Sequence, residues 1–254
     1  AKHGTHVAGI IAATAAAGRS MRGIAPPGAV TILPIRAVPD GDERDDEIAR
    51  AIRYAVDQGA LVVNMSFGKA FSPGKAVVDS AVRYATQKGV LLVHAAGNDA
   101  EDTDQTPSFP TRRVSGPPVD ALWLEVGASS WKGADQLAAG FSNFGKQTVD
   151  LFAPGEDIVS TVPGGGVAEE SGTSMASPVV AGVAATLLAY FPSLTPAQVR
   201  TIILETVRPM SQQLVGQPGD PSVQLRFGTL SRTGGLLDAY AAVKRAQQLA
   251  GTVP

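Results

Sequence analysis

The sequence predicts an α/β domain of three layers, a mostly parallel sheet flanked by helices. Three observations carry that expectation. Short apolar runs bounded by small residues alternate with stretches of helical period. The helical stretches stop at glycines such as Gly59 and Gly89. No repeat, charge block or linker divides the 254 residues, so residues 1–254 read as a single domain with a core large enough to support a pocket.

Taken in order, His3–Ala16 is helical by the spacing of Val7, Ile10 and Ile11, with Gly18 just past its end. Val30–Arg36 reads as a strand. Asp45–Gln58 follows as an amphipathic helix with Ile48, Ile52 and Val56 on one face. Leu61–Met65 is a short buried strand, Lys75–Lys88 a helix, and Val90–His94 the next strand. The Pro- and Asp-rich stretch Asp99–Pro118 is loop, and Leu122–Val126 and Val149–Phe152 are further strands. Ser174–Tyr190 is apolar nearly all round, which predicts a buried helix. Pro196–Thr206 starts with Thr195 as N-cap and proline at the first helical position. Leu236–Leu249 is the last helix.

Composition excludes several classes. Charged residues make up 17% of the chain, too few for a disordered tail or a coiled coil. A net charge of −2 gives no electrostatic reason to expect nucleic acid. No apolar run reaches the roughly 20 residues of a membrane span, so no membrane partner is expected. Without cysteine there are no disulfides, thiolate metal sites or thiol nucleophiles. The opening Ala1-Lys2-His3 lacks an initiator Met and runs directly into a helical pattern, which reads as a start inside a domain.

Three motifs of small residues fall at strand carboxyl ends and helix amino ends, where such a sheet places its sites. They are His3-Gly4-Thr5-His6-Val7-Ala8-Gly9, Val93-His94-Ala95-Ala96-Gly97-Asn98, and Ser171-Gly172-Thr173-Ser174-Met175-Ala176-Ser177-Pro178. Ser174 sits at the mouth of the buried helix, among backbone N–H groups that have no helical partner and suit a developing oxyanion. A serine needs a base to attack a carbonyl, and histidine has the fitting pKa. The chain offers His3, His6 and His94. Asn98, in a Gly-rich turn after a strand, can supply a further oxyanion donor. These residues lie far apart in sequence, so the fold must assemble them.

At these residues the chain resembles the subtilisin-like serine protease family (subtilases, peptidase S8). The resemblance extends through Asn64-Met65-Ser66-Phe67-Gly68 and Phe152-Ala153-Pro154-Gly155, in the family's order, and runs from His3 to about Leu249. It implies a subtilisin-like fold and hydrolysis of polypeptides through an acyl-enzyme. It places the general base on His3, the nucleophile on Ser174 and the oxyanion amide on Asn98, partnered by the Ser174 backbone N–H. It assigns Ser66, Phe67 and Gly68 to extended substrate, and Ala95, Ala96 and Gly97 to the opposite wall of the primary pocket. Small-residue walls imply tolerance for apolar or medium-sized side chains. The resemblance further implies a monomer without cofactor, secreted or held at the cell envelope.

One departure stands out. The family's third triad member is an aspartate upstream of the histidine helix, and only Ala1 and Lys2 precede His3 here. No acid of this chain matches its motif, and Asp150 reads as structural. The expectation is therefore an N-terminally incomplete catalytic domain, nearly inactive by itself. His6 and His94 are expected to be packed structural residues. The acids Asp99, Glu101, Asp102 and Asp104 are expected in a solvated loop, although family members bind structural calcium at various loops. Pro107–Pro110 should approach the pocket floor, and Gly164-Gly165-Gly166 should free the backbone near the nucleophile. The rivals are a peptide-binding pseudoprotease and an acid-active serine carboxyl peptidase, which would use acids in place of His3 and Asn98. A nucleotide-binding domain lacks its Gly-rich motif.

Overall fold

The computed structural model describes residues 2–15, 21–38 and 43–251. In chain order the first elements are α1 (Lys2–Ala12), α2 (Asp45–Asp57), β1 (Val62–Met65), α3 (Lys75–Gln87), β2 (Leu91–Ala95), β3 (Trp123–Ser129) and β4 (Leu151–Pro154). Next come β5 (Ile158–Thr161), β6 (Val167–Glu170), α4 (Thr173–Tyr190) and α5 (Pro196–Glu205). The chain closes with β7 (Arg208–Pro209), β8 (Leu214–Gln217), β9 (Asp220–Arg226), β10 (Gly235–Leu236) and α6 (Ala239–Ala250).

The main sheet has the order β1-β2-β3-β4-β10-β7. Its strands pair in parallel except for β7, which runs antiparallel to β10. Alternation of side chains along each strand divides the core in two. Leu91 and Val93 of β2, with Leu124 and Val126 of β3, pack under α1, α4, α5 and α6. Met65, Leu92 and Trp123 point to the other face, against α2 and α3. This is the three-layer α/β architecture that the sequence predicts.

Helix α4 crosses β1 to β4. It is long and apolar enough to span a membrane by length and composition, but 72% of it is buried inside the molecule, which makes it a core helix. Helix α5 begins with a reciprocal cap: Thr195 Oγ1 accepts from Gln198 N–H at 3.3 Å, and Gln198 Oε1 accepts from Thr195 N–H at 2.8 Å.

The structure departs from expectation in four places, the first being Leu236, expected to open the last helix, which pairs instead in β10 while α6 begins at Ala239. Val30–Arg36 is not a strand: no segment among the described residues pairs with it, and Leu33 remains 41% exposed. A strand exists only through its ladder, so a suitable local pattern without a neighbour gives extended coil. Helix α1 ends at Ala12; Ala16 and Gly18, at the expected end, lie outside the described residues. Two hairpins, β5–β6 and β8–β9, were not foreseen. The glycines expected to loosen the backbone near Ser174 form the first hairpin's turn, with φ of 85° at Gly164 and 83° at Gly165. That hairpin seats α1: Ser160 Oγ donates to His6 O at 2.6 Å, and Thr161 Oγ1 donates to Thr5 O at 3.0 Å.

Candidate active site

Ser174 lies in the first turn of α4, after Gly172 in extended conformation. Its N–H has no hydrogen-bond partner among the described residues, as expected at a helix amino end. Pro178, one turn on, has no N–H to give the Ser174 carbonyl its helical bond. Ser66 Oγ supplies the bond instead, donating to Ser174 O at 2.8 Å. The Ser66 hydroxyl also accepts from Asn64 Nδ2 at 2.9 Å, and its one hydrogen being used, it accepts from Ser177 Oγ at 2.9 Å. It is therefore saturated and buried.

Asn98 reaches the same turn from the end of β2. Its side-chain oxygen accepts from Thr173 N–H at 2.8 Å and from Thr173 Oγ1 at 3.0 Å. A backbone N–H can only donate, so the oxygen must face Thr173 and the NH₂ faces out, available to a ligand. Two donors, the Ser174 N–H and the Asn98 amide, thus meet at the helix turn that carries the Ser174 hydroxyl. Asn143 braces the turn from behind: its oxygen accepts from the N–H groups of Asp99 and Glu101, both at 2.9 Å, and its NH₂ donates to Ala96 O at 3.0 Å.

An open cleft of about 430 Å³ runs from Ser174 and Asn98 between two walls. Phe67 and Gly68 line one wall, Ala95 and Gly97 the other, and Pro107 and Ser108 come from the loop expected at the floor. Two residues expected in the walls are placed elsewhere. The Ser66 side chain turns inward as described. Ala96 points away from the cleft, by strand alternation, into the cluster of Val149, Phe152 and Phe227. What the first wall offers is backbone, including the Gly68 N–H, which donates to Glu43 Oε1 at 3.2 Å. Asp99, Glu101 and Lys69 also line the cleft. Lys69 is already engaged, by Asp45 at 2.8 Å and Glu43 O at 2.6 Å.

His3 stands exposed in the first turn of α1, and no hydrogen bond joins it to Ser174 among the described residues. The Ser174 hydroxyl donates instead to Ser66 O at 3.2 Å. The helices nevertheless start together. Lys2 pairs at 2.8 Å with Glu170, the last residue of β6, four positions before Ser174. At the far end, a side chain on Gly182 would begin 3.6 Å from Ile11 Cα. Gly182 and Ile11 each lie eight residues past Ser174 and His3, so α1 and α4 run side by side in the same sense. Partial desolvation lowers the His3 pKa below its ordinary 6.5, against the opposing pull of Glu170. His6 is fully buried, its Nε2 3.0 Å from Ala168 O.

The remaining acids are structural. Asp150 is fully buried, paired with Arg112 and accepting from Glu125 N–H at 2.8 Å. Asp104 is not simply solvated: it accepts from Thr148 Oγ1 at 2.7 Å and from Gln147 N–H. Among the described residues no group of three or more His, Cys, Asp or Glu side chains is placed to hold a metal ion. Sequence reasoning missed Thr173, Ser177 and Asn143. The run Phe141-Ser142-Asn143-Phe144-Gly145, small and polar residues between aromatics, was the available signal for the last.

Comparison with known proteins shows the family and the fold. The profile of the subtilase family, peptidase S8, matches residues 1–229. The chain is 38% identical over 228 residues to the cell wall-associated protease of Bacillus subtilis (strain 168), covering 86% of this chain and 23% of that protein. It is 39% identical over 183 residues to the intracellular serine protease of Paenibacillus polymyxa, covering 72% of this chain and 52% of that one. The chain thus spans about a quarter to a half of these curated relatives. Among solved structures, the prenylagaramide maturation protease PagA superposes with a TM-score of 0.74 at 30% identity, over 97% of this chain and 83% of the other. With a helix-borne serine, an amide donor and a cleft in the order its motifs demand, this chain belongs to the subtilase family.

Proposed function

We propose that this chain is the catalytic domain of a serine endopeptidase. Ser174 Oγ attacks a peptide carbonyl, His3 takes its proton and returns it to the leaving amine, and an acyl-enzyme forms and is hydrolysed. The Ser174 N–H and the Asn98 amide hold the oxyanion, at about 2.7–3.1 Å in such sites. The polypeptide lies extended along Phe67 and Gly68, as an added strand. The observation that carries this reading is the pair of donors, without partners among the described residues, at the helix turn that carries the Ser174 hydroxyl. The lowered His3 pKa supports it, since the base must be neutral to accept a proton.

In this mechanism the hydroxyl swings from Ser66 O to the His3 ring. No carboxylate among the described residues bonds that ring, and loss of the orienting acid costs roughly 10⁴ in rate in such triads. We expect the chain to turn over slowly by itself and to gain activity when a segment bearing the aspartate is supplied upstream. A peptide-binding domain without turnover is the second reading, favoured by the Ser174 hydroxyl being bonded to Ser66 O. The deciding experiment measures hydrolysis of an unstructured protein by the chain joined to such a segment, with and without Ser174→Ala. Loss of activity in the variant supports the enzyme; equal rates overturn the nucleophile assignment. Relatives include both a cell wall-associated and an intracellular protease, so either location is compatible with the family.

A further inference from the structure

His94 is fully buried, yet both ring nitrogens face oxygens. Nδ1 lies 2.7 Å from Glu125 Oε1, and Nε2 lies 2.8 Å from the Phe67 carbonyl. A carbonyl oxygen only accepts, so Nε2 carries a hydrogen and donates it to Phe67. Nδ1 and Glu125 Oε1, 2.7 Å apart, need one further hydrogen between them. Glu125 Oε2 in turn accepts from Trp123 Nε1–H at 2.7 Å, and both residues are buried.

Register explains the arrangement. His94 sits opposite Glu125 across β2–β3 and opposite Met65 across β1–β2. The three side chains share the α2–α3 face of the sheet, and the relay ends two residues past Met65, in the cleft wall. A buried ionisable pair gains little stability over an apolar pair of the same size. What it does here is hold the Nε2–H donor on one carbonyl.

That carbonyl sets the direction of its neighbour. In a trans peptide the C=O and N–H point opposite ways. With Phe67 C=O drawn inward, the Gly68 N–H of the same peptide points outward, to where it now meets Glu43 Oε1 at 3.2 Å. The preceding carbonyl, Ser66 O, alternates and meets Ser174 Oγ. We infer that His94, backed by Glu125, is a positioning residue that fixes the Phe67–Gly68 peptide and aims the Gly68 N–H at the main chain of an extended polypeptide. It governs strand pairing with the substrate and leaves the chemistry at Ser174 untouched. The inference rests on the endopeptidase reading above.

The test compares two peptide boronic acids with the same first side chain, one of a single residue and one of four, by competition binding to the full chain. The longer probe reaches Gly68; the shorter does not. In His94→Leu the affinity advantage of the longer probe falls about tenfold, the worth of roughly one hydrogen bond, while the shorter probe keeps its affinity. His94→Gln, which returns an amide N–H to the position, restores most of the advantage. An unchanged advantage in His94→Leu, or equal weakening of both probes, overturns the inference. Should His94→Leu fail to fold, Glu125→Gln carries the test: the advantage falls about threefold as the short bond that braces the ring is weakened, and no fall overturns the inference. Failure of the single-residue probe on the unmodified chain is a different result, which overturns the nucleophile assignment and this inference with it.

Discussion

Ser66 and Ser174 hold each other at two points: the Ser66 hydroxyl donates to the Ser174 carbonyl at 2.8 Å, and the Ser174 hydroxyl donates to the Ser66 carbonyl at 3.2 Å. The first bond exists because Pro178 leaves that carbonyl without its helical partner. Ser66→Ala should therefore destabilise the fold by about 1–3 kcal/mol, the penalty of a buried acceptor left unmade. Adding Pro178→Ala to that variant restores the helical N–H and should recover part of the loss. A urea-unfolding double-mutant cycle measures it, and strict additivity of the two changes would refute the coupling.

Asn98 has two separable tasks, capping Thr173 with its oxygen and presenting its NH₂ to the cleft. Asn98→Ala should lower kcat by about 10²–10³ and also lose stability, since Thr173 N–H loses its acceptor. Asn98→Asp keeps an acceptor for Thr173 and removes the donor. It should lose at least as much kcat with unchanged unfolding in urea; full retention of kcat would remove Asn98 from the oxyanion site.

Partial desolvation of His3 predicts the acid limb of the pH profile. The ring is neutral and able to accept a proton down to a pH below the ordinary 6.5, so kcat/KM should hold through 6.5 and fall only beneath it. The sign for stability is the same. Between 6.5 and the lower folded value the unfolded chain binds the proton first, so acidification through that interval destabilises the fold. Glu170 opposes the shift, and Glu170→Gln should move the acid limb lower still. A limb that stays in place in that variant would argue against His3 as the base.

Asp150 anchors a different part of the molecule. It is fully buried and satisfies Arg112, itself buried, together with the Glu125 N–H. Asp150→Ala leaves the buried guanidinium only Asp120 and the Thr148 carbonyl, and should cost about 3 kcal/mol in urea unfolding. Replacing Asp46, an exposed acid of α2, should cost less than about 1 kcal/mol.

Much of the fold was legible because α2, α3, α4 and α5 each carry a complete local signature of period, cap or stop. Val30–Arg36 shows the limit: its pattern suits a strand, but pairing is decided by what lies alongside. The hairpins escaped notice for the converse reason. Their strands are short and partly polar, and only the turns, Gly164-Gly165 and Pro218-Gly219, announced them. In the site, the small-residue motifs marked Ser174 and Asn98. The inward turn of Ser66 and Ala96, and the partnership of His94 with Glu125, depend on which residues fall opposite one another across the sheet. That register belongs to the assembled sheet and to no single segment.

The burial of α4 has a consequence for how such a molecule ages. Its flanks are enclosed by the sheet and by α1, α5 and α6, so the amides of its middle turns should exchange with solvent only when the whole domain opens. Fraying of loops or outer hairpins can expose the backbone to nicking without unseating the serine. A nicked chain should therefore keep its reactive hydroxyl in place until the core itself gives way, and loss of that hydroxyl's reactivity should coincide with global melting.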